Sequence, residues 1–561
     1  MRRWSETAER VAATARTSEK VRLLAAYLRT LTPAELPTAV TFFTGRPFPE
    51  RDPRVLGLGW AAIGEAVVEE ADAEPGALGR AYDRSSDLGQ AVFDLLSESR
   101  RKPSGELPTL TDVRDAFAGI AATSGSAAKI GQLRTLLWRC DPLVGKYLVK
   151  VMSGDLRIGL REGNLEGGIA AAFGRPLAAV QWAGMLTGDL GHTAELARDD
   201  RLDEADLTLF RPLKSMLASP AADVAEVISR LGTPVWVEDK YDGIRAQLHR
   251  QGAETRLYSR DLHDVSGQFP EVLEAAADLR WSGILDGELL AWRAGTALPF
   301  QRLQGRLGRK RPGAAILAAT PVIFVAFDLL AGGPPEGPVE PLLRTPLRER
   351  RAQLEGLGLA DRPGFGLSRL ETAASAVELD ERFAAARARG NEGLMVKDPE
   401  SGYSPGRRGF GWLKLKRPLA TLDCVVVGVE VGHGKRHGVL SDYTFAVRDD
   451  RPDAPHALAT IGKTYSGLTD AELAEMTRWF TDHTLSVHGR YRVVEPTVVV
   501  EVAFDVIQKS RRHASGYALR FPRIAQLRHD KPPHEIDRLS TVAALEARLS
   551  VSAQVAIETS A

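Results

Sequence analysis

A chain of 561 residues, 44% hydrophobic and 26% charged, has a globular composition and is long enough for about three domains. Its 73 basic and 73 acidic side chains cancel, so a strongly charged partner would have to be bound by a local cluster of charge. Two distant cysteines, Cys140 and Cys424, and the lack of any run of 18 uncharged apolar residues argue against a disulfide framework, a structural zinc site and a membrane span, so we expect a cytoplasmic protein.

The first third of the chain has the apolar spacing of helices. Segments 20–31 and 129–140 carry apolar residues at i, i+3 and i+4, and clusters of Gly and Pro separate such segments. We therefore predict an all-α domain over residues 1–205.

From about Phe210 the pattern changes to β-branched and alternating runs. Strands are predicted within 234–250, 283–292 and 321–330, and a helix within 373–390. This mixture predicts an α+β domain over residues 206–417.

Short strand patterns return after residue 417. They are broken by turns and by one helical segment, TDAELAEMTRWFTDH. A small barrel accounts for such a pattern, so an all-β domain is predicted over residues 418–561.

The segment EDKYDGIR, residues 238–245, places Lys240 directly before Tyr-Asp-Gly at the end of an apolar strand. Taken alone, it has a simpler alternative, a surface lysine beside an Asp-Gly turn. Six further motifs follow in order, namely SR at 259–260, LDGE at 285–288, AFDLL at 326–330, EGLMVK at 392–397, WLKLK at 412–416 and LRFPR at 519–523. The ordered set resembles the covalent nucleotidyltransferase superfamily of ligases and capping enzymes.

These residue types suit an attack by a lysine amine on a nucleotide phosphate. The amine must be deprotonated, which desolvation and neighbouring cations favour, and the same cations hold phosphates. Lys240 is the predicted nucleophile, and the predicted cations are Arg245, Arg260, Lys414 and Lys416. Phosphoryl transfer also uses Mg²⁺, for which carboxylates are the protein ligands. The predicted ligands are Glu288 and Glu392, with Asp242 behind them.

The resemblance implies further contacts with ATP. It places Glu238 against the adenine, Phe327 on the face of the adenine, and Arg408 along the nucleotide with Arg260, Lys414 and Lys416. Without the motif set, Phe327 would be interpreted as a core residue of a buried strand. In the family, LRFPR closes over ATP, which implicates Arg520 and Arg523, and Phe521 is expected to press on the minor groove of DNA.

The flanks indicate which member of the superfamily this is. Segments 122–133, 153–163 and 188–197 resemble the helical DNA-binding domain of archaeal, eukaryotic and some bacterial ATP-dependent DNA ligases, and RPLKSMLA at 211–218 resembles the entry into their adenylation domain. That family combines a DNA-binding domain, an adenylation domain and an OB-fold, which implies a monomer that encircles nicked double-stranded DNA. Arg157 and Arg161 are the expected phosphate contacts, with a solvated helix face as the alternative.

Local charge agrees with a DNA partner. Between Lys509 and Lys531 seven basic residues are set against one acid, Asp530. The sequence thus predicts an ATP- and Mg²⁺-dependent DNA ligase. An RNA ligase or capping-type enzyme is disfavoured by the N-terminal domain, and a non-catalytic DNA-binding relic by the intact Lys240, Glu288, Glu392 and Lys414. One departure from the family is Asp261, where members often have Asn.

Overall fold

A computed structural model describes residues 1–50, 52–99, 103, 105–293, 295–298, 300–416, 420–432, 436, 438–454 and 456–547, apart from the side chains of residues 301 and 410. Within these ranges, no helix has the length and apolar composition that crossing a bilayer requires.

The first two hundred residues form a helical region around one apolar core, as predicted. Trp4, Phe117 and Leu148 are among its fully buried side chains. Asp and Thr side chains cap several helices by accepting a hydrogen bond from the first turn, which satisfies otherwise unpaired amides. The helices are α1 (Arg2–Ala12), α2 (Thr17–Leu28), α3 (Leu36–Phe43), α4 (Trp60–Glu70), α5 (Ala77–Ser85), α6 (Leu88–Glu98), α7 (Leu110–Ala122), α8 (Ser126–Leu137), α9 (Pro142–Ser153), α10 (Glu162–Phe173), α11 (Leu177–Thr187) and α12 (Leu190–Arg198).

The middle region contains two sheets with helices packed on them, which is the predicted α+β class. The strands are β1 (Leu217–Ala221), β2 (Val235–Asp239), β3 (Ile244–Gln251), β4 (Glu254–Ser259), β5 (Ser282–Arg293), β6 (Thr296–Ala297), β7 (Val322–Gly333), β8 (Glu340–Pro341), β9 (Phe365–Leu367), β10 (Leu370–Ala373), β11 (Leu394–Lys397) and β12 (Arg408–Leu415). One sheet has the order β1-β12-β11-β2-β10 and the other the order β4-β3-β5-β7-β8, with β6 beside β5 and β9 beside β7. The helices are α13 (Val224–Leu231), α14 (Pro270–Ala276), α15 (Phe300–Gln304), α16 (Ala314–Ala319), α17 (Leu347–Glu355) and α18 (Ala376–Ala388).

The C-terminal region is built on strands, as predicted, with one long helix, α19 (Asp470–Asp482), where the helical segment was predicted. Its strands are β13 (Ala420–Val431), β14 (Leu440–Arg448), β15 (Leu458–Thr464), β16 (Thr484–His488), β17 (Tyr491–Val494), β18 (Val499–Phe504), β19 (Val506–Lys509), β20 (Tyr517–Arg520) and β21 (Arg523–Leu527). The long strand β13 pairs with β14 and also with β18 and β17, so the sheet wraps around a core that includes Phe445, Phe480 and Val502.

Polar contacts join the three regions. Lys214, before β1, pairs with Glu50 at 2.7 Å and with Glu162 of α10 at 2.6 Å. Arg490 donates to the Ser86 hydroxyl at 3.2 Å, which links the C-terminal region to the helical one. The boundaries drawn at residues 205 and 417 stay predictions.

Candidate functional site

A cavity of about 490 Å³ opens between the two middle sheets and is lined by residues from all the predicted motifs. Twelve predicted site residues line it, namely Glu238, Lys240, Asp242, Arg245, Arg260, Glu288, Phe327, Glu392, Arg408, Lys414, Arg520 and Phe521. The motifs are spread over almost three hundred residues of sequence, so the fold brings distant polar side chains into one place.

Strand alternation sets one wall of the cavity. In β2, β11 and β12 the register places Glu238 opposite Met395, and Lys397 opposite Trp412. All four line the cavity. The intervening residues are apolar and buried on the other face, namely Val237, Val396 and Leu413.

The second wall belongs to β3, β5 and β7. Arg245 lies opposite Glu288, and both side chains line the cavity. Between the two walls, Gly243 of the Tyr-Asp-Gly motif touches β5 so closely that a Cβ would lie 2.5 Å from the Leu289 carbonyl oxygen. The motif glycine is therefore required by a close backbone approach.

Lys240 follows β2 and is held by its backbone. Its amide donates to the Gly393 carbonyl, and its carbonyl accepts from the Glu392 amide, both at 2.9 Å. Its Nζ lies 2.5 Å from Oε2 of Glu392, and the Lys416 ammonium contacts the same oxygen. Cations were predicted around Lys240, and the structure shows in addition a carboxylate in direct contact with it.

The three predicted metal ligands differ in their electrostatics. Burial raises the pKa of Glu288 to about 8, although Lys240 and Arg245 act in the opposite direction. The pKa of Asp242 is also raised, first by burial and then by Glu392. For Glu392 burial acts the same way but is outweighed by Lys240 and Lys416, so its pKa is lowered.

These carboxylates do not form a ready-made metal cage. No group of three or more His, Cys, Asp or Glu side chains in the described part of the chain is arranged to hold a metal ion. Mg²⁺ in phosphoryl-transfer sites uses one or two carboxylates together with waters and phosphate oxygens, so the donor set still fits Mg²⁺ bound with a nucleotide. The metal-ligand assignment of Glu288, Glu392 and Asp242 stays a prediction.

Several cationic side chains surround Lys414. Burial lowers the pKa of Lys414, and Lys416, Lys240, Arg408 and Arg260 lower it further. Cations this close together repel one another, and bound phosphates would reduce that repulsion.

Arg245 is engaged by protein groups. Its Nη2 and Nε donate to the two oxygens of Asp286 at 2.6 and 3.1 Å, and its Nη1 donates to the Met216 carbonyl at 2.6 Å. Tyr403 donates to the same carboxylate at 2.6 Å. Arg245 was predicted to bind phosphate, but Asp286 neutralises much of its positive charge.

The apolar end of the cavity contains two rings and a buried ion pair. Phe327 is half-buried, and its ring meets the Trp412 ring edge-on at 6.2 Å. The Arg245 guanidinium lies 5.3 Å from the centre of the Phe327 ring. Glu238 accepts from Lys397 at 2.7 Å. A planar base would fit this mixture of aromatic faces and polar groups.

The C-terminal region closes the cavity with the LRFPR segment. Arg520 and Phe521 line the cavity, and the Phe521 ring remains 54% exposed at a backbone φ of 55°. Arg523 lies apart from the cavity lining and faces Asp505 at 3.8 Å. Lys416 also faces Asp505, at 3.8 Å, so Asp505 bridges the two regions.

Arg157 and Arg161 lie in the helical region and not in the cavity. Arg157 has a positive φ of 49°, pairs with Asp155 at 2.6 Å and donates to the Ser86 carbonyl. Arg161 is exposed just before α10. The two residues bracket one loop, and their contact with DNA stays a prediction.

Lys397 and Trp412 are among the cavity residues that were not predicted from the sequence. Both stand inside quoted motifs, EGLMVK and WLKLK. Counting alternate residues from Met395 and Lys414 would have placed both on the cavity face.

Comparisons with known proteins agree along the chain. The family model described as "DNA ligase N terminus" matches residues 1–170, "ATP dependent DNA ligase domain" matches residues 215–416, and "ATP dependent DNA ligase C terminal region" matches residues 436–531. A solved structure named "Pmar-Lig_PreS3" covers 94% of this chain and 99% of its own, with a TM-score of 0.58 and 16% identity, which shows a shared fold.

Two curated bacterial relatives are similar over nearly the whole chain. The "Probable DNA ligase" of Koribacter versatilis is 46% identical over 557 residues, covering 95% of this chain and 94% of that protein. The "Probable DNA ligase" of Opitutus terrae is 45% identical and covers 97% of this chain, which spans only 62% of that longer protein. On this similarity, and on three family models that follow one another along the sequence, the chain belongs to the ATP-dependent DNA ligase family.

Proposed function

We propose that this protein seals nicks in duplex DNA through an AMP adduct on Lys240. The observation that carries the proposal is the position of Lys240 Nζ, 2.5 Å from Glu392, in a cavity with a cationic side and an aromatic end. The relatives named as DNA ligases and the three family models support the same activity.

The first step forms the adduct. The Lys240 amine attacks the α-phosphorus of ATP, an N–P bond forms, and the bond from that phosphorus to the leaving pyrophosphate breaks. Glu392 holds Nζ in position through Oε2, and the ammonium group releases its proton to water before the attack. Lys414, Arg260 and Arg408 would hold the phosphates.

The predicted Mg²⁺ ligands lie in the same cavity. Glu288 and Glu392, with Asp242, would hold Mg²⁺, which when bound neutralises charge on the phosphate oxygens. Lys416 would exchange its contact with Glu392 for a phosphate when the nucleotide enters.

The later steps act on DNA. A 5′-phosphate oxygen at the nick attacks the α-phosphorus, the N–P bond to Lys240 breaks, and AMP is carried to the DNA end. The 3′-hydroxyl then attacks that 5′-phosphate, and AMP leaves as the strand closes. We propose a monomer that surrounds the duplex, with Arg157 and Arg161 on phosphates and Phe521 at the minor groove. Phosphate contacts of this kind recognise duplex geometry and not base sequence.

The test uses ATP labelled at the α-phosphate. We expect the full chain to take up label and, on addition of magnesium and nicked DNA, to lose it as the nick is sealed. Lys240→Ala should take up none, because no other group replaces the amine. The matched control is Lys463→Ala, an exposed lysine that pairs with Glu430 on the C-terminal region.

Two outcomes would contradict the proposal. Full labelling of Lys240→Ala would place the nucleophile elsewhere. A wild-type adduct that is discharged by nicked RNA and not by nicked DNA would favour the RNA-ligase alternative.

A further inference from the structure

Lys397 is a buried lysine of the cavity with no role in the chemistry described above. It ends β11 with 1% of its surface exposed, and its Nζ donates to Oε2 of Glu238 at 2.7 Å. Glu238 is 4% exposed. Both residues line the cavity, so a buried ion pair forms part of the cavity wall.

The ammonium group is held on several sides. Its Nζ lies 4.3 Å from the centre of the Trp412 ring and 5.0 Å from that of the Phe327 ring, in the geometry of cation–π contacts. The carboxylate and two aromatic faces therefore hold it in one position.

The second oxygen of Glu238 is available for another donor. Oε1 is 3.8 Å from Nη1 of Arg351, which is beyond hydrogen-bond distance. Arg351 instead donates to the hydroxyl and carbonyl oxygens of Ser368 at 2.8 and 2.9 Å. Lys397 is thus the cation that is hydrogen-bonded to Glu238, Arg351 is a more distant ion-pair partner, and Oε1 can still accept a hydrogen bond from a ligand.

The fold does not need this ion pair. Burying two charges costs about as much as their attraction returns, and apolar pairs of similar volume often do as well. The same two strands are already aligned by the directly paired apolar residues Val237 and Val396. A buried charge pair on the cavity side therefore calls for a role in binding.

A charged carboxylate distinguishes the two purine bases. Adenine presents an N6 amino donor where guanine presents an O6 acceptor. A carboxylate that stays ionised accepts from the amino group and repels the O6 oxygen, whereas a neutral carboxylic acid could donate to O6. Discrimination between the two bases then depends on the group that holds the Glu238 carboxylate in place.

We propose that Lys397 is a positioning residue that makes the cavity select ATP over GTP by holding the Glu238 carboxylate in place, with Oε1 towards the base. This rests on the proposed function, since it takes the cavity to be the nucleotide site and Glu238 to face the base. Lys397 acts through Glu238 and not on the reacting phosphate.

The experiment compares kcat/KM for adduct formation with ATP and with GTP. Lys397→Met removes the cation and keeps most of the volume, so Glu238 loses the cation that is hydrogen-bonded to it and its carboxylate is no longer held in one position. We expect the ATP-to-GTP ratio of kcat/KM to fall about 10- to 100-fold, mainly through a higher KM for ATP. Lys397→Arg keeps the positive charge and should retain most of the ratio.

A double variant guards against misfolding. Glu238→Gln with Lys397→Met replaces the ion pair by neutral groups of similar size, so no unpaired charge stays buried. Its amide can accept from N6 or donate to O6, so it should label with both nucleotides at comparable efficiency. Lys463→Met, with 57% of its side chain exposed, is the surface control and should keep the wild-type ratio.

The outcomes separate this inference from the proposed function. If the wild type forms no adduct with ATP, the proposed function fails. If the wild type labels but Lys397→Met, or a folded double variant, still prefers ATP as strongly, the role of Lys397 is refuted and the proposed function stands.

Discussion

His249 of β3 should make the stability of the middle region sensitive to acid. It is fully buried, its Nδ1 accepts a hydrogen bond from the Phe210 amide at 3.1 Å, and Tyr258 packs against its ring at 4.9 Å. An acceptor at Nδ1 requires the neutral ring in the tautomer that is protonated at Nε2. Burial lowers its pKa from 6.5 to about 3.

The direction of the effect follows from that shift. The unfolded chain binds a proton near pH 6.5, whereas the folded chain does not until about pH 3. The contribution of neutral His249 to the free energy of unfolding is therefore complete above pH 6.5 and is lost as the pH falls towards 3. At pH 5, about 1.5 pH units below the unfolded pKa of 6.5, the free energy of unfolding is lower by about 2 kcal/mol than at neutral pH.

The measurement is hydrogen exchange of the segment around Phe210, with urea unfolding, at pH 7 and pH 5. His249→Asn keeps an acceptor near the Nδ1 position and does not titrate, so it should lose about 2 kcal/mol less than the wild type over this range. His534→Asn is the control, because that imidazole is 73% exposed. The reasoning is refuted if His249→Asn loses as much stability as the wild type, or if His249 titrates near pH 6 in the folded protein.

Three further results are expected. Phe327→Ala should raise the KM for ATP by about tenfold or more with an unchanged circular dichroism spectrum, because a ring stacked on adenine contributes about 1–3 kcal/mol; a general loss of structure would instead show a core residue. Gly243→Ala should slow adduct formation, since its Cβ would lie 2.5 Å from the Leu289 oxygen and displace the Lys240 turn; a wild-type rate would show that the turn adjusts. Removing residues 1–205 should leave adduct formation largely intact but nearly abolish nick sealing at physiological salt, with partial recovery at low salt, because several phosphate contacts are lost. Sealing by the truncated chain as efficient as that of the full chain would exclude the first region as the DNA clamp.

The cavity could be predicted from the sequence because its residues lie in short motifs whose chemistry is local. A lysine before Tyr-Asp-Gly, an acid after Asp-Gly and alternating lysines in WLKLK each indicate a task without knowledge of the fold. Because side chains alternate between the two faces of a strand, pairing of the strands places those side chains on one face, as the register of β11 and β12 shows.

The partners of these residues could not be predicted, because they come from distant strands. Asp286 was passed over inside LDGE, yet it binds Arg245 through two hydrogen bonds. Lys397 and Glu238 are separated by most of the middle region, and only the pairing of β2 with β11 brings them together. Motifs indicate which groups are present, and the pairing of strands decides which charges cancel.

The start of the middle region shows the same limit. Phe210 and Leu213, which follow the predicted boundary at 205, form hydrogen bonds with side chains of β3. Gln247 of β3 both accepts from the Leu213 amide at 3.0 Å and donates to its carbonyl at 2.7 Å. A cut made at β1, and not at 205, would remove these contacts and leave buried polar atoms of β3 unpaired. The change from helical to strand periodicity near Phe210 indicated the junction because apolar patterning follows burial, but it could not show which polar atoms the connecting segment satisfies.

The free positive charge of the basic stretch between Lys509 and Lys531 is also less than the count of basic residues suggests. Arg528 and Lys531, two of the seven cations between Lys509 and Lys531, bind Asp423 of β13 at 2.9 and 2.6 Å. Arg523 and Lys509 also face carboxylates, those of Asp505 at 3.8 Å and Glu546 at 3.9 Å, whereas Arg511 and Arg512 are exposed in the same stretch. Since each phosphate contact changes the salt dependence of binding by about 0.9 in the log–log slope, the paired cations should add little to that slope while the exposed ones carry it. A chain with no net charge can therefore bind a polyanion, provided that its internal ion pairs leave such cations at the surface.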